Sequence, residues 1–112
     1  MPKYLLNVNY SVEGAKGVLK DGGTARRQVV EKLVQGLGGT IETFYFCFGK
    51  YDVVLVVDLP DNEAVTAASL TVGATGAAEV QTTTLLSPEE VDRAVKRKVT
   101  YTPPGAPRSK SR

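Results

Sequence analysis

The sequence predicts a single α+β domain with its elements in the order β-α-β-β-α-β and one more helix at the end. Three observations carry that expectation. Four segments have strand character; helical periods separate the first from the second and the third from the fourth; and a short glycine-containing link joins the second to the third. At 112 residues the chain has length for one domain and not two.

The elements can be read off in order. Tyr4, Leu6, Val8 and Tyr10 alternate with Leu5, Asn7 and Asn9, as in a half-buried strand. Ser11 is placed to cap a short helix reaching about Lys20, which Gly14 and Gly17 weaken. Asp21-Gly22-Gly23 predicts a turn, and Thr24 the cap of a firmer helix. Val29, Val30, Leu33, Val34 and Leu37 hold helical spacing there until Gly38-Gly39. Ile41 to Phe48 and Val53 to Leu59 follow as strands joined through Gly49-Lys50, with Gly49 expected at positive φ. The second of these runs is apolar on both phases, as suits a strand covered on both faces. Asp61 caps a helix whose stripe is Ala64, Val65, Ala68 and Val72, ended by Gly73 and Gly76. Glu79 to Leu86 reads as the fourth strand. Ser87-Pro88-Glu89-Glu90 is a capping box with proline at the first helical position, and that helix should close near Lys98. Residues 102–107 read as an extended tail.

This order is that of the ferredoxin-like fold, with both main helices on one sheet face and the first and third strands in the middle. The opposite face is bare. If Tyr4, Leu6, Val8 and Tyr10 face the helices, Asn7 and Asn9 face outward. If Phe44, Phe46 and Phe48 face the helices, Thr43, Tyr45 and Cys47 face outward. Val54, Val56 and Asp58, then Gln81 and Thr83, are the expected contributions of the other two strands. A face holding Tyr45, Val54 and Val56 together is one that soluble monomers avoid, and a long aromatic edge strand invites pairing. The sequence therefore predicts a homodimer or higher oligomer. Burying Asn7 or Asn9 without partners costs about 1–3 kcal/mol each, so the interface should supply hydrogen bonds, water or a ligand.

Composition narrows the chemistry. There is no histidine, and Cys47 is the only cysteine. No intrachain disulfide, Ser-His or Cys-His nucleophile or histidine-ligated metal can form, and no metal or other cofactor is predicted. No apolar run approaches the ~18–20 residues that span a bilayer. The opening residues lead directly into a strand pattern without an apolar leader. A soluble, cytoplasmic protein without membrane contact is expected. Residues 96–112 carry six basic side chains and no acidic one, which leaves residues 1–95 at −4. Nucleic-acid binding would rest on that tail alone. The acidic body, and a third strand without aromatic residues for base stacking, argue against it.

Phe48-Gly49-Lys50-Tyr51-Asp52-Val53 followed by Val57-Asp58-Leu59-Pro60-Asp61 resembles the GYD-domain family. Pro2-Lys3-Tyr4, Gly14-Ala15-Lys16-Gly17 and Thr82-Thr83-Thr84-Leu85-Leu86 before Ser87-Pro88-Glu89-Glu90 are similar to it too. Here Lys50 separates the glycine from the Tyr-Asp pair. The resemblance covers about residues 2–104. It implies a small protein of the dimeric α/β-barrel superfamily, in which two bare sheets face each other, with residues 1–98 as the domain and 99–112 as a basic, proline-rich tail. That superfamily includes binding proteins, cofactor-free oxygenases, isomerases and haem enzymes.

The residues nominated for a ligand site are Asn7, Asn9, Tyr45, Cys47, Tyr51, Asp52 and Asp58. Turn chemistry accounts equally for Tyr51 and Asp52, a cap on the Pro60-Asp61 turn for Asp58, and apolar packing for Cys47. Arg26 and Arg27, in a helix first turn where the dipole disfavours cations, mark either an anion site with Gly22-Gly23 or solvated side chains. The function these residues predict is small-molecule binding between paired sheets. The alternative is a cofactor-free oxygenase or isomerase with Asn7, Asn9, Tyr45, Tyr51 and Asp52 as its polar groups.

Overall fold

A computed structural model describes residues 1–105. The elements are β1 (Lys3–Tyr10), α1 (Val12–Asp21), α2 (Gly23–Gly36), β2 (Thr40–Phe46), β3 (Val53–Asp58), α3 (Asn62–Ala74), β4 (Ala78–Leu85) and α4 (Pro88–Val95). The strands form one antiparallel sheet in the order β2-β3-β1-β4, so β1 and β3 are central and β2 and β4 are edges. The architecture is α+β, a four-stranded antiparallel sheet with four helices.

One side of the sheet holds the core. Tyr4 and Leu6 of β1 and Val53, Leu55 and Val57 of β3 are buried against Val34 of α2 and Val65 of α3, with Leu59 closing one end. Ala68 of α3 is buried as well. The Tyr4 hydroxyl, at the bottom of this layer, donates to Asn62 Oδ1 at 2.7 Å, so the buried phenol keeps its hydrogen bond. Between the sheet, α2 and α3 there remains a cavity of about 100 Å³ with an almost wholly apolar lining that includes Leu6, Leu33, Leu55, Val72 and Val80. It lies inside the helix-covered layer, away from the nominated site residues. α1 and α4 bury no side chain. α4 and the segment after it lie apart from this core, and the described residues extend over 67 × 30 × 23 Å.

Several local expectations are corrected. Thr24 does not cap α2. The cap is Gly22, at φ 83°, which ends α1 with its N–H on the Val18 carbonyl and begins α2 without any side-chain bond. A single left-handed glycine thus joins two helices where a longer turn was expected. In the β2–β3 connection the left-handed residue is Phe48, at φ 49°, and not Gly49. That conformation costs an L-residue about 1–2 kcal/mol, against which the Phe48 ring stacks parallel on Phe46 with centroids 5.8 Å apart. Phe48 consequently stays exposed, while Phe44 and Phe46 pack on the core. α4 ends at Val95 rather than near Lys98. β3 is covered on one face only: Val53, Leu55 and Val57 are buried, whereas Val54, Val56 and Asp58 are half-exposed. The part of the tail at 106–112 lies outside the described residues.

The caps on Ser11, Asp61 and Ser87 form as the sequence indicates, and the Ser87 box closes in both directions with Glu90. Glycine is required where backbones meet. A Cβ at Gly39 would overlap the Asp58 carbonyl oxygen and come within 2.7 Å of Leu59 Cδ2. Gly39→Ala should therefore destabilise the protein by about 1–3 kcal/mol, as overpacking does. Gly73→Ala, in α3 with open space around it, should stabilise by about 0.5–1 kcal/mol. Chemical denaturation of both variants measures the pair.

Candidate functional site

The face opposite the helices follows from the strand registers. Asn7 stands between Val54 of β3 and Gln81 of β4, and Leu5 between Val56 and Thr83. On β2, Tyr45 pairs with Val54 and Thr43 with Val56. Across the middle of the sheet this makes a row Tyr45–Val54–Asn7–Gln81 beside a row Thr43–Val56–Leu5–Thr83. Leu5, Asn7, Val54 and Val56 are half-exposed, and Tyr45 is 67% exposed. The surface thus has a centre of Leu5, Val54 and Val56, with Tyr45 on one edge and amide or hydroxyl groups on the other.

Each end of the face carries a polar cluster. At one end Lys3 Nζ donates to Glu42 Oε2 at 2.5 Å and to both Asp58 oxygens at 3.0 and 3.1 Å. Glu42, then Asp58, hold the Lys3 ammonium above its ordinary value of 10.5. Asp58 is thus paired with Lys3, and Asp61 caps the following helix as its sequence indicates. A register shift between Ile41 and Thr43 sits where Glu42 joins this group. At the other end the Tyr51 hydroxyl donates to Gln81 Oε1 at 2.8 Å, reaching from the β2–β3 connection to β4. Lys50 Nζ lies 5.7 Å from the Tyr51 ring centre, within cation–π range.

Asp52 faces the backbone. Its N–H donates to the Val8 carbonyl at 2.9 Å, and its Oδ2 accepts the Tyr10 N–H at 2.8 Å. It continues the β1–β3 pairing one residue before β3 begins at Val53. Cys47 follows β2 within the connection. It is exposed, its N–H is bonded to the Asp52 carbonyl, and its thiol lies 3.2 Å from the Tyr51 carbonyl oxygen. Of the seven nominated residues, Asn7, Asn9, Tyr45 and Tyr51 share the open face. Cys47 and Asp52 belong to the connection at its edge, and Asp58 sits four residues along β1 from Asn7, about 13 Å away at strand rise.

Lys3, Leu5 and Glu42 were not nominated. Strict alternation along β1 puts Lys3, Leu5, Asn7 and Asn9 on one phase, so the signal for the first two was present. Glu42 depends on the register shift, which no local pattern announces. Arg27 is paired with Glu31 at 3.7 Å, and Arg26 lines the core cavity near Tyr10. Among the described residues no group of histidine, cysteine or carboxylate side chains could hold a metal ion. No helix there is long and apolar enough to cross a membrane.

Removing the Asp52 carboxylate leaves the Tyr10 N–H without its acceptor. Asp52→Ala should cost about 1–3 kcal/mol, with Asn at that position recovering part of it through its amide oxygen; unfolding midpoints read both. Burial, opposed by Arg26 and reinforced by Asp52, raises the Tyr10 phenol above its ordinary value of 10.0. Unfolded tyrosine then ionises before the folded one. Its contribution is complete below pH 10 and is lost as the pH rises beyond it. Thermal stability should fall above that pH, and less steeply in Tyr10→Phe.

No curated protein matches this chain. The family model of the GYD domain matches residues 4–95, from the first strand through α4, and includes both the Tyr51-Asp52 pair and the Ser87 capping box. The chain belongs to the GYD-domain family.

Proposed function

We propose that the open sheet face pairs with the same face of a second copy, completing a ferredoxin-like, dimeric α/β-barrel arrangement, and that the enclosed space binds a small molecule. One observation carries this reading. Leu5, Val54 and Val56 form a half-exposed apolar centre on the two middle strands, with the exposed Tyr45 beside it. An apolar side chain left half in water forgoes about 25 cal/mol for each Å² that a partner would cover.

The ligand part of the proposal rests on the polar groups around that centre. Asn7, Asn9 and Gln81 bring amides to the face, and the Tyr51 hydroxyl donates to Gln81. A few hydrogen-bonding groups converging on an apolar floor are what a small-molecule site offers. Binding is favoured over catalysis because both nominated carboxylates are engaged, Asp52 with the Tyr10 N–H and Asp58 with Lys3. A general base would have to leave one of these partners to accept a proton.

A native mass spectrum of the purified protein tests both parts. The expected species is a multiple of the 12.0 kDa chain carrying a reproducible extra mass. A bare multimer would remove the ligand, and a monomer at micromolar concentration would remove the pairing. In the same measurement Tyr45→Ala should weaken association more than Arg26→Ala, whose side chain lies on the helix side; equal dissociation constants would contradict the choice of face.

A further inference from the structure

α4 poses a physical problem that the domain body does not solve. It has eight residues, and none is buried. Isolated helices shorter than about 12–15 residues are marginal in water. Yet this one is built to be a helix. Ser87 and Glu90 close a reciprocal capping box, proline occupies the first turn, and Glu89 and Glu90 face the positive end of the dipole. The Ser87 bond also holds the Glu90 carboxyl below its ordinary value. Leu86 and Val91 occupy the two positions of a hydrophobic staple, and Val95 follows Val91 by one turn. Leu86, Val91 and Val95 are all exposed, as are Val99 and Tyr101 beyond them. A preformed helix with an apolar stripe and no surface beneath it is half of an interface.

We propose that α4 is a docking arm whose stripe of Leu86, Val91 and Val95 packs on the flank of a second copy of this chain seated on the open sheet face. The inference rests on the sheet-paired reading above, and two observations favour that occupant. The first is reach. Leu85 ends β4 on the open face opposite Lys3, and only Leu86 and Ser87 separate it from α4. Eight helical residues span about 12 Å, close to the ~10 Å between two sheets packed face to face. An arm of that length leaving the edge of one sheet arrives at the side of the other.

The second is charge. Lys96, Arg97 and Lys98 follow α4 directly, whereas residues 1–85 hold nine acidic against seven basic side chains. The end of the arm is therefore complementary to the body of another copy, and such pairing also fixes orientation. Two equivalent arms in a two-fold dimer would each clasp the opposite body.

The test uses the full chain with a photo-crosslinking amino acid at position 95, in an equimolar mixture of ¹⁴N and ¹⁵N protein. Mixed-isotope products are expected on irradiation. Separately, Val91→Asp combined with Val95→Asp should weaken self-association at least tenfold in sedimentation velocity. At concentrations where both proteins are monomeric, the denaturation midpoint of the body should stay unchanged, because α4 buries no side chain. If the chain still self-associates but either result is missing, the arm is overturned and the pairing of sheets stands. If the unmodified chain is a monomer at micromolar concentration, both fall.

Discussion

Among the described residues, α2 buries Val34 and α3 buries Val65 and Ala68, whereas α1 and α4 bury no side chain. A sheet of four strands has two faces, and this chain carries helical cover for one. The central strands are apolar on the phase that meets α2 and α3, and nearly as apolar on the other, where Leu5, Val54 and Val56 stand half in water. This mismatch between sheet area and helix cover is the constraint behind the rest. It is visible in β3, which has no hydrophilic phase, and in α4, which adds no cover to the sheet.

The β2–β3 connection shows how the family's Tyr-Asp pair divides its labour. Asp52 extends the pairing of β1 by supplying a side-chain acceptor where the strand partner has ended. Tyr51 crosses to β4 and spans the end of the open face. Asp52 fixes the rim and Tyr51, the residue before it, occupies it. Because Asp52 anchors the backbone on both its N–H and its carboxylate, the reach of the Tyr51 hydroxyl to Gln81 starts from a fixed point of the sheet. A side chain held by rigid strands is placed more accurately than one on a free loop.

Much of this was legible from residue pattern. The alternation in Lys3–Tyr10 gave the core phase of β1 and with it the open-face Asn7 and Asn9, whereas Val54, Val56, Gln81 and Thr83 are placed by their registers with β1. The caps at Ser11, Asp61 and Ser87 are short-range chemistry and formed as their sequences indicate. What pattern misjudged were places where a nearby ring or backbone changed the local choice. Gly22 displaced Thr24 as the cap of α2, and Phe48 took the left-handed position that Gly49 would have held at no steric cost.

The sequence by itself determined the element types, the face of β1 that meets the helices, and the absence of histidine chemistry, because these depend on residue identity and on periods of a few residues. Only the tertiary structure decided the partners of the charged groups. Lys3 meets Asp58 and Glu42 across 55 and 39 residues of chain, and Tyr51 meets Gln81 across 30. Asp58 changed from a presumed turn cap to an ion-pair partner for that reason. Registers, a bulge at Glu42 and the direction of a connection set those distances, and none of these is written in any local stretch of the chain.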